Sequence, residues 1–230
     1  MKKHGFTLAE VLVTLGIIGV VAALTLPSFI ANTQAAKIGP SLAKAVANFS
    51  AATKTMISNS GSEYLRAATF CADGGTSCND PSNVIEHPEF FWVNFANNMN
   101  GTIITSATTT LPAANFGNIA FMGTDGTIYM CAGFPPIDAH SISGNPNNSS
   151  TSDNANVLID INGLSGPNQA GRDQFLFWLM EDGSLIPKGA HNTAIGGDTW
   201  ETKCAKNVAP VDGTYCAGHI FENDLKVEYK

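Results

Sequence analysis

Two stretches of this chain hold side chains whose type and spacing suit chemistry. The first is the amino terminus, MKKHGFTLAEVLVTLGIIGVVAALTLPSFI, in which two lysines and a histidine precede Gly5. From Phe6 to Leu26 the residues are mostly apolar, and Glu10 is the one ionisable side chain among them. A carboxylate in a membrane span costs about 2–4 kcal/mol at the bilayer centre and less near the interface. It is tolerated when hydrated at headgroup depth, protonated, or paired with a cation. A cut after Gly5 would create such a cation. The freed α-amine of Phe6 would lie at the depth of Glu10, able to pair within its own helix or with Glu10 of a neighbouring copy.

The second stretch runs Asp160-Ile-Asn162-Gly163-Leu-Ser165-Gly-Pro-Asn168-Gln-Ala-Gly171-Arg172-Asp173. Asp160, Asn162, Asn168 and Asp173 place oxygen-bearing side chains along a glycine-rich turn, and hard oxygen ligands are what Ca²⁺ selects. The spacing is not that of an EF-hand: Gly163 comes too early, and Gly171 stands where a bidentate Glu would fall. The same residues have another use, closing turns onto the backbone, with Asp173 pairing with Arg172 or accepting main-chain donors.

Other catalytic arrangements are missing from the sequence. The five histidines (His4, His87, His140, His191, His219) are scattered, and no nucleophile elbow, phosphate loop or zinc-helix motif occurs. The formal net charge is −7, and losing Lys2 and Lys3 takes it to about −9. That charge opposes electrostatic capture of nucleic acid. The five cysteines suggest disulfides in an oxidising compartment. Cys71 and Cys78 enclose a tight loop, and Cys204 and Cys216 are candidates to close a C-terminal one, the sequence leaving the connectivity open. Cys131 is then the odd thiol, expected to be buried at a strand end. A zinc site from Cys204, Cys216 and His219 is a weaker use of the same residues.

The elements that position these groups follow from periodicity. About twenty apolar residues span a bilayer as a helix, and Phe6–Pro27 has that length. Past Pro27, residues Ile38, Leu42, Val46, Phe49, Thr53 and Met56 recur at three- and four-residue spacing and make one apolar face. The helix is therefore expected to continue as an amphipathic spine over 28–59, with a bend or local opening at Gly39-Pro40. At 1.5 Å per residue the rod is about 75–80 Å long. Asn59-Ser60-Gly61 ends it.

A short amphipathic helix is expected after His87-Pro88, carrying Phe91, Trp92, Phe95 and Met99. Strands follow at 102–105, 119–122 and 127–131, then at 157–161, 174–180 and 184–186. Asp125-Gly126 and Asp182-Gly183 supply hairpin turns, so the sheet reads as one antiparallel meander. Residues 138–156 lack large apolar groups and read as a surface loop. Residues 199–204 read as a turn or short helix. Trp200, Ile220 and Phe221 are expected to pack the tail against the sheet.

The run Lys2-Lys3-His4-Gly5-Phe6-Thr7-Leu8-Ala9-Glu10 resembles the prepilin-type cleavage and N-methylation motif of type IV pilins and type II secretion pseudopilins. The resemblance implies cleavage between Gly5 and Phe6 by a prepilin peptidase/methyltransferase, N-methylation of Phe6, and an assembly role for Glu10. It also implies an α+β, pilin-like fold: a leader at 1–5, a long helix at 6–59 (membrane-spanning 6–27, spine 28–59) and an extracytoplasmic globular domain at 60–230. Pro27 falls where that family often kinks its helix. The 160–173 loop is similar to one recurring in some pilin-like proteins, and some pseudopilins hold calcium near the same sheet.

An ordinary secretory signal would instead be cut after the apolar segment. Ala22-Ala23 offers weak sites, and Glu10 argues against it. No cysteine near this end permits lipoprotein processing. The leader lysines place residues beyond about 30 outside the cytoplasm. The expected protein is a structural subunit, not an enzyme. It is anchored once in the inner membrane, then polymerises with itself or related subunits through the inner-membrane assembly machinery into a pilus or periplasmic pseudopilus. Size, the Asn/Ser-rich loop and several cysteines lean towards a pilin, a minor one included, over a pseudopilin. A tethered binding or enzymatic domain that never polymerises is the rival of a different class.

Overall fold

The computed structural model describes residues 7–61, 65, 88–106, 109, 119–132, 156–180, 182–191, 199–204 and 212–227. Gly5, Phe6, Cys71, Cys78 and the loop up to residue 155 lie outside the described residues. The chain divides into two compact units, Met1–Lys37 and Ile38–Lys230.

Helix α1 runs Leu8–Ser60, 53 residues, and is helical through both Pro27 and Gly39-Pro40. In the first unit it is built from Leu, Ile, Val and Ala. Its β-branched polar residues stay helical by turning their hydroxyls back on the helix: Thr14 Oγ1 donates to Glu10 O at 2.9 Å and Thr25 Oγ1 to Val21 O at 2.9 Å. Leu8–Pro27 has a mean hydropathy of 2.3 and none of it is buried. It is long and apolar enough to cross a membrane.

In the second unit the same helix lays one stripe into a core. Leu42, Ala45, Phe49, Ala52, Thr53 and Met56 are buried, and Ile38 and Val46 pack at the margin. Gly39 lacks a Cβ for a visible reason. One built there would sit 1.8 Å from the carbonyl oxygen of Leu225, because the C-terminal tail crosses the helix at this point. Pro40 gives up one backbone donor without ending the helix. Gly61, at φ 66°, ends it, its N–H donating to Ser58 O.

Helix α2 (Pro88–Asn98) supplies the aromatics for the opposite wall. Phe91, Trp92 and Phe95 are buried. The Phe49 and Phe95 rings lie 4.8 Å apart, and Phe95 meets Phe121 edge-on at 5.0 Å.

The sheet is a six-stranded antiparallel meander in sequence order: β1 Gly101–Thr105, β2 Ile119–Gly123, β3 Ile128–Ala132, β4 Asn156–Asp160, β5 Gln174–Leu179 and β6 Leu185–Pro187. Register places Phe121, Tyr129, Ile159 and Phe175 in one cross-strand row on the core face. The other face has its own buried cluster of Ala120, Ile128, Met130, Leu158 and Leu176. β5 is buried along its whole length. That explains why QFLFWL reads as a continuous apolar run and not an alternation.

Both Asp-Gly turns are built alike. The Asp125 and Asp182 carboxylates each accept the N–H two residues on, from Thr127 and Ser184, and Gly126 and Gly183 take positive φ. Thr53 pins the second turn from within α1, its buried hydroxyl donating to Gly183 O at 2.6 Å.

The C-terminal region holds α3 (Trp200–Lys203), a 3₁₀ turn (Asp212–Tyr215) and α4 (Cys216–Glu222). Leu225 N–H returns to Ile220 O with Asp224 left-handed at φ 49°, a Schellman ending made without glycine. Ile220 is buried, and Phe221 meets Phe177 edge-on at 6.0 Å.

Candidate functional site

At the amino terminus the helix opens on a reciprocal cap. Thr7 N–H and Thr7 Oγ1 both donate to Glu10 Oε2, at 2.8 and 2.7 Å. Glu10 N–H donates back to Thr7 Oγ1 at 3.3 Å. This is a capping box, satisfying donors that a helix start otherwise leaves unpaired. Glu10 is held in the first turn, where the helix dipole favours an anion. The cap is short-range, and both Thr7 donors meet the same carboxylate oxygen, Oε2. Thr7 is the residue that the sequence reading passed over. Its signal was there in Thr7-Leu-Ala-Glu10, the T-x-x-E of a capping box.

Residues 1–26 match the family model described as the prokaryotic N-terminal methylation motif. That motif is the signature of type IV pilins and pseudopilins. The chain has a pilin-type amino terminus. Comparison with curated proteins and with solved structures finds no match to the chain. Together with the α+β architecture of a long leading helix and an antiparallel sheet, the motif points to a structural subunit that is a substrate of prepilin processing.

The 160–173 loop brings its four oxygen-bearing residues together by hydrogen bonds. Asp160, fully buried at the end of β4, accepts Asn162 N–H at 3.2 Å and Gln174 Nε2–H at 3.0 Å. Asp173 accepts Asn162 Nδ2–H at 3.0 Å and Asn168 N–H at 2.8 Å, as well as the main-chain N–H of Gln169. Burial, and then the neighbouring Asp173, pushes the Asp160 carboxyl up to about 7. Asp173 does not pair with Arg172; it gathers backbone donors, and Asp160 closes a turn on Asn162. Two amide oxygens, Asn162 Oδ1 and Asn168 Oδ1, are buried and accept no hydrogen bond.

The loop also joins its neighbours. A Cβ on Gly163 would meet Gly126 O at 2.1 Å, and one on Gly171 would meet Gly213 O at 2.8 Å. It is therefore wedged between the β2–β3 turn and the C-terminal staple.

Cys204 and Cys216 form that staple, with Cα atoms 4.8 Å apart. Both thiols are consumed, so the zinc arrangement from Cys204, Cys216 and His219 is overturned. Cys131 lies within β3, buried and free, and burial pushes its thiol up. Among the described residues no group of three or more His, Cys, Asp and Glu side chains is placed to hold a metal.

Proposed function

We propose that this chain is a structural subunit of a type IV pilus-like filament. It is cut between Gly5 and Phe6, N-methylated at Phe6, and assembled by packing of its leading helix. The observation that carries the reading is the match of residues 1–26 to the methylation motif, on a helix whose Leu8–Pro27 segment is apolar and unburied. Leu8, Leu12, Ile18 and Leu24 are largely exposed, and an apolar surface of that kind needs lipid or other helices. Before assembly the chain is a single-pass inner-membrane protein, leader lysines inward and the 60–230 domain outside the cytoplasm.

During assembly the Glu10 carboxylate receives the Phe6 amine of an adjoining subunit. That pairing sets register and removes a lone charge from the apolar interior. Glu10→Ala should leave cleavage intact and sharply reduce filament yield, read by mass spectrometry of the mature terminus and by quantifying sheared filaments. Normal yield from that variant would remove the role given to Glu10. A secretion pseudopilin shares the same amino terminus. A tethered domain that never polymerises is told apart by the absence of this chain from any filament.

A second reading, Ca²⁺ held by the 160–173 loop, is favoured by the two buried amide oxygens without donors, Asn162 Oδ1 and Asn168 Oδ1. Asp160 and Asp173 would add the charge that a hard cation needs, and the ion would cross-tie the two ends of the loop. The expected outcome is a higher melting temperature with Ca²⁺ than with EDTA. An unchanged temperature, with no metal by elemental analysis, would leave the loop closed by hydrogen bonds alone.

A further inference from the structure

The C-terminal region holds a second tie besides the disulfide, made by a single imidazole. His191 stands just past β6 with each ring nitrogen on a different carboxylate. Nδ1 lies 2.7 Å from Glu222 Oε2, at the end of α4, and Nε2 lies 2.5 Å from Glu201 Oε1, in α3. Glu222 is held further: its Oε1 accepts the His191 main-chain N–H at 2.6 Å, and its Oε2 accepts the Trp200 indole N–H at 2.8 Å.

Ionised carboxylates only accept hydrogen bonds, so both ring nitrogens must carry protons for both contacts to be made. The geometry therefore requires the imidazolium. We propose that Glu201–His191–Glu222 is a proton-operated clasp. It ties Glu201 of α3 to the imidazole while His191 is charged, and that tie opens when His191 loses a proton, leaving the Trp200 indole on Glu222.

Which contact opens follows from the partners. Glu222 keeps two donors that do not titrate here, the His191 N–H and the Trp200 indole, so the remaining ring proton stays on Nδ1 facing it. Nε2 then turns a lone pair towards the Glu201 carboxylate, and that contact becomes repulsive. Among the described residues, the charged and titratable groups around the ring are Glu201 from α3, Glu222 from α4, and His219 from α4, the last separated by Trp200, whose ring centroid lies 4.3 Å from that of His219. Lys188, in the turn between β6 and His191, is directed elsewhere, 3.7 Å over the Trp178 ring. Glu222 first, then Glu201, raises the imidazole above its ordinary value.

The sign follows from that rise. The stabilisation is full below the unfolded imidazole value and is lost as pH climbs through the higher folded one. α3 is joined on its far side by the Cys204–Cys216 bond. Trp200, at its near end, keeps its main-chain bond to Gly189 O and its indole bond to Glu222, so losing the Glu201 contact loosens the α3 turn locally and does not unfold the chain.

The test is ¹⁵N-histidine NMR and amide hydrogen exchange on the full chain in detergent micelles, across pH 6 to 9. His191 should titrate above free imidazole and leave the Nδ1–H tautomer. The amides bonded within the α3 turn, Thr202, Lys203 and Cys204, should lose protection over the same range after correction for intrinsic rates. Glu201→Gln should shift the His191 titration downward. His191→Gln should abolish the pH-dependent step in α3 exchange without altering exchange in β4 or β5. A His191 titration at or below the free value would overturn the proposal. So would an α3 exchange profile that keeps its step in His191→Gln.

Discussion

The two parts of helix α1 bury opposite amounts of similar side chains. In the first unit Leu8 is 79 % exposed, Leu12 61 % and Leu24 76 %; in the second, Leu42 and Phe49 are 0 % exposed. Both parts are helical and rich in Leu, Val, Ile and Ala, so propensity does not separate them. The pattern does. From Ile38 onward the apolar residues keep to one face and the others are Ser, Lys, Asn and small alanines, whereas Leu8–Pro27 is apolar on every side. A one-sided stripe is completed by the sheet and α2 of the same chain. The Leu8–Pro27 surface is unburied and apolar all round, the pattern of a helix that crosses a membrane or packs on other helices.

Substitutions can break this contrast or sharpen it. Phe49→Ala removes a side chain that touches Phe91, Phe95 and Tyr129 and should cost about 3–5 kcal/mol. Leu12→Ala should leave unfolding of the second unit unchanged and act on filament yield alone. Chemical denaturation in detergent, followed by tryptophan fluorescence, checks both, and equal costs would erase the contrast.

Cys204→Ser opens the staple and should cost about 2–4 kcal/mol under the same assay. Thr53→Val leaves Gly183 O without its donor on the buried side of the helix, at about 1–3 kcal/mol. Its cost should appear as earlier loss of protection in β6.

Asp160→Asn acts through pH. The folded carboxyl titrates near 7, above its ordinary value of 3.8. The folded chain therefore holds a proton that the unfolded one has released, and stability falls as pH rises from about 4 to 7. The amide variant should flatten that slope and be the more stable at pH 8, on the order of 1–2 kcal/mol. Parallel pH profiles for variant and native chain would show that burial does not perturb Asp160.

Much of this was legible in the residues because the signals were local. The spacing of Leu42, Phe49, Thr53 and Met56 marked the buried stripe, the two Asp-Gly pairs marked the hairpins, and all six strands fall within a residue or so of where alternation and turns placed them. Ala45 and Ala52 were missed on the same stripe, since alanine suits either side of a helix surface. What stayed hidden depends on distant pieces of chain meeting. Gly39 looked like a helix-weakening residue until the Leu225 carbonyl was found against it. His191, Glu201 and Glu222 lie far apart in sequence and meet because β6, α3 and α4 converge beside a disulfide. Thr7 was different: its cap was readable three residues from Glu10.

The central claim is that the exposed half of α1 finds its partner in other copies of this chain. Immunogold electron microscopy of sheared surface filaments, with antibody against the 60–230 domain, tests it most directly. The account predicts label along or at the tip of filaments in native cells and its loss in Glu10→Ala. Label confined to the membrane fraction, with filaments unmarked and the leader correctly removed, would contradict it.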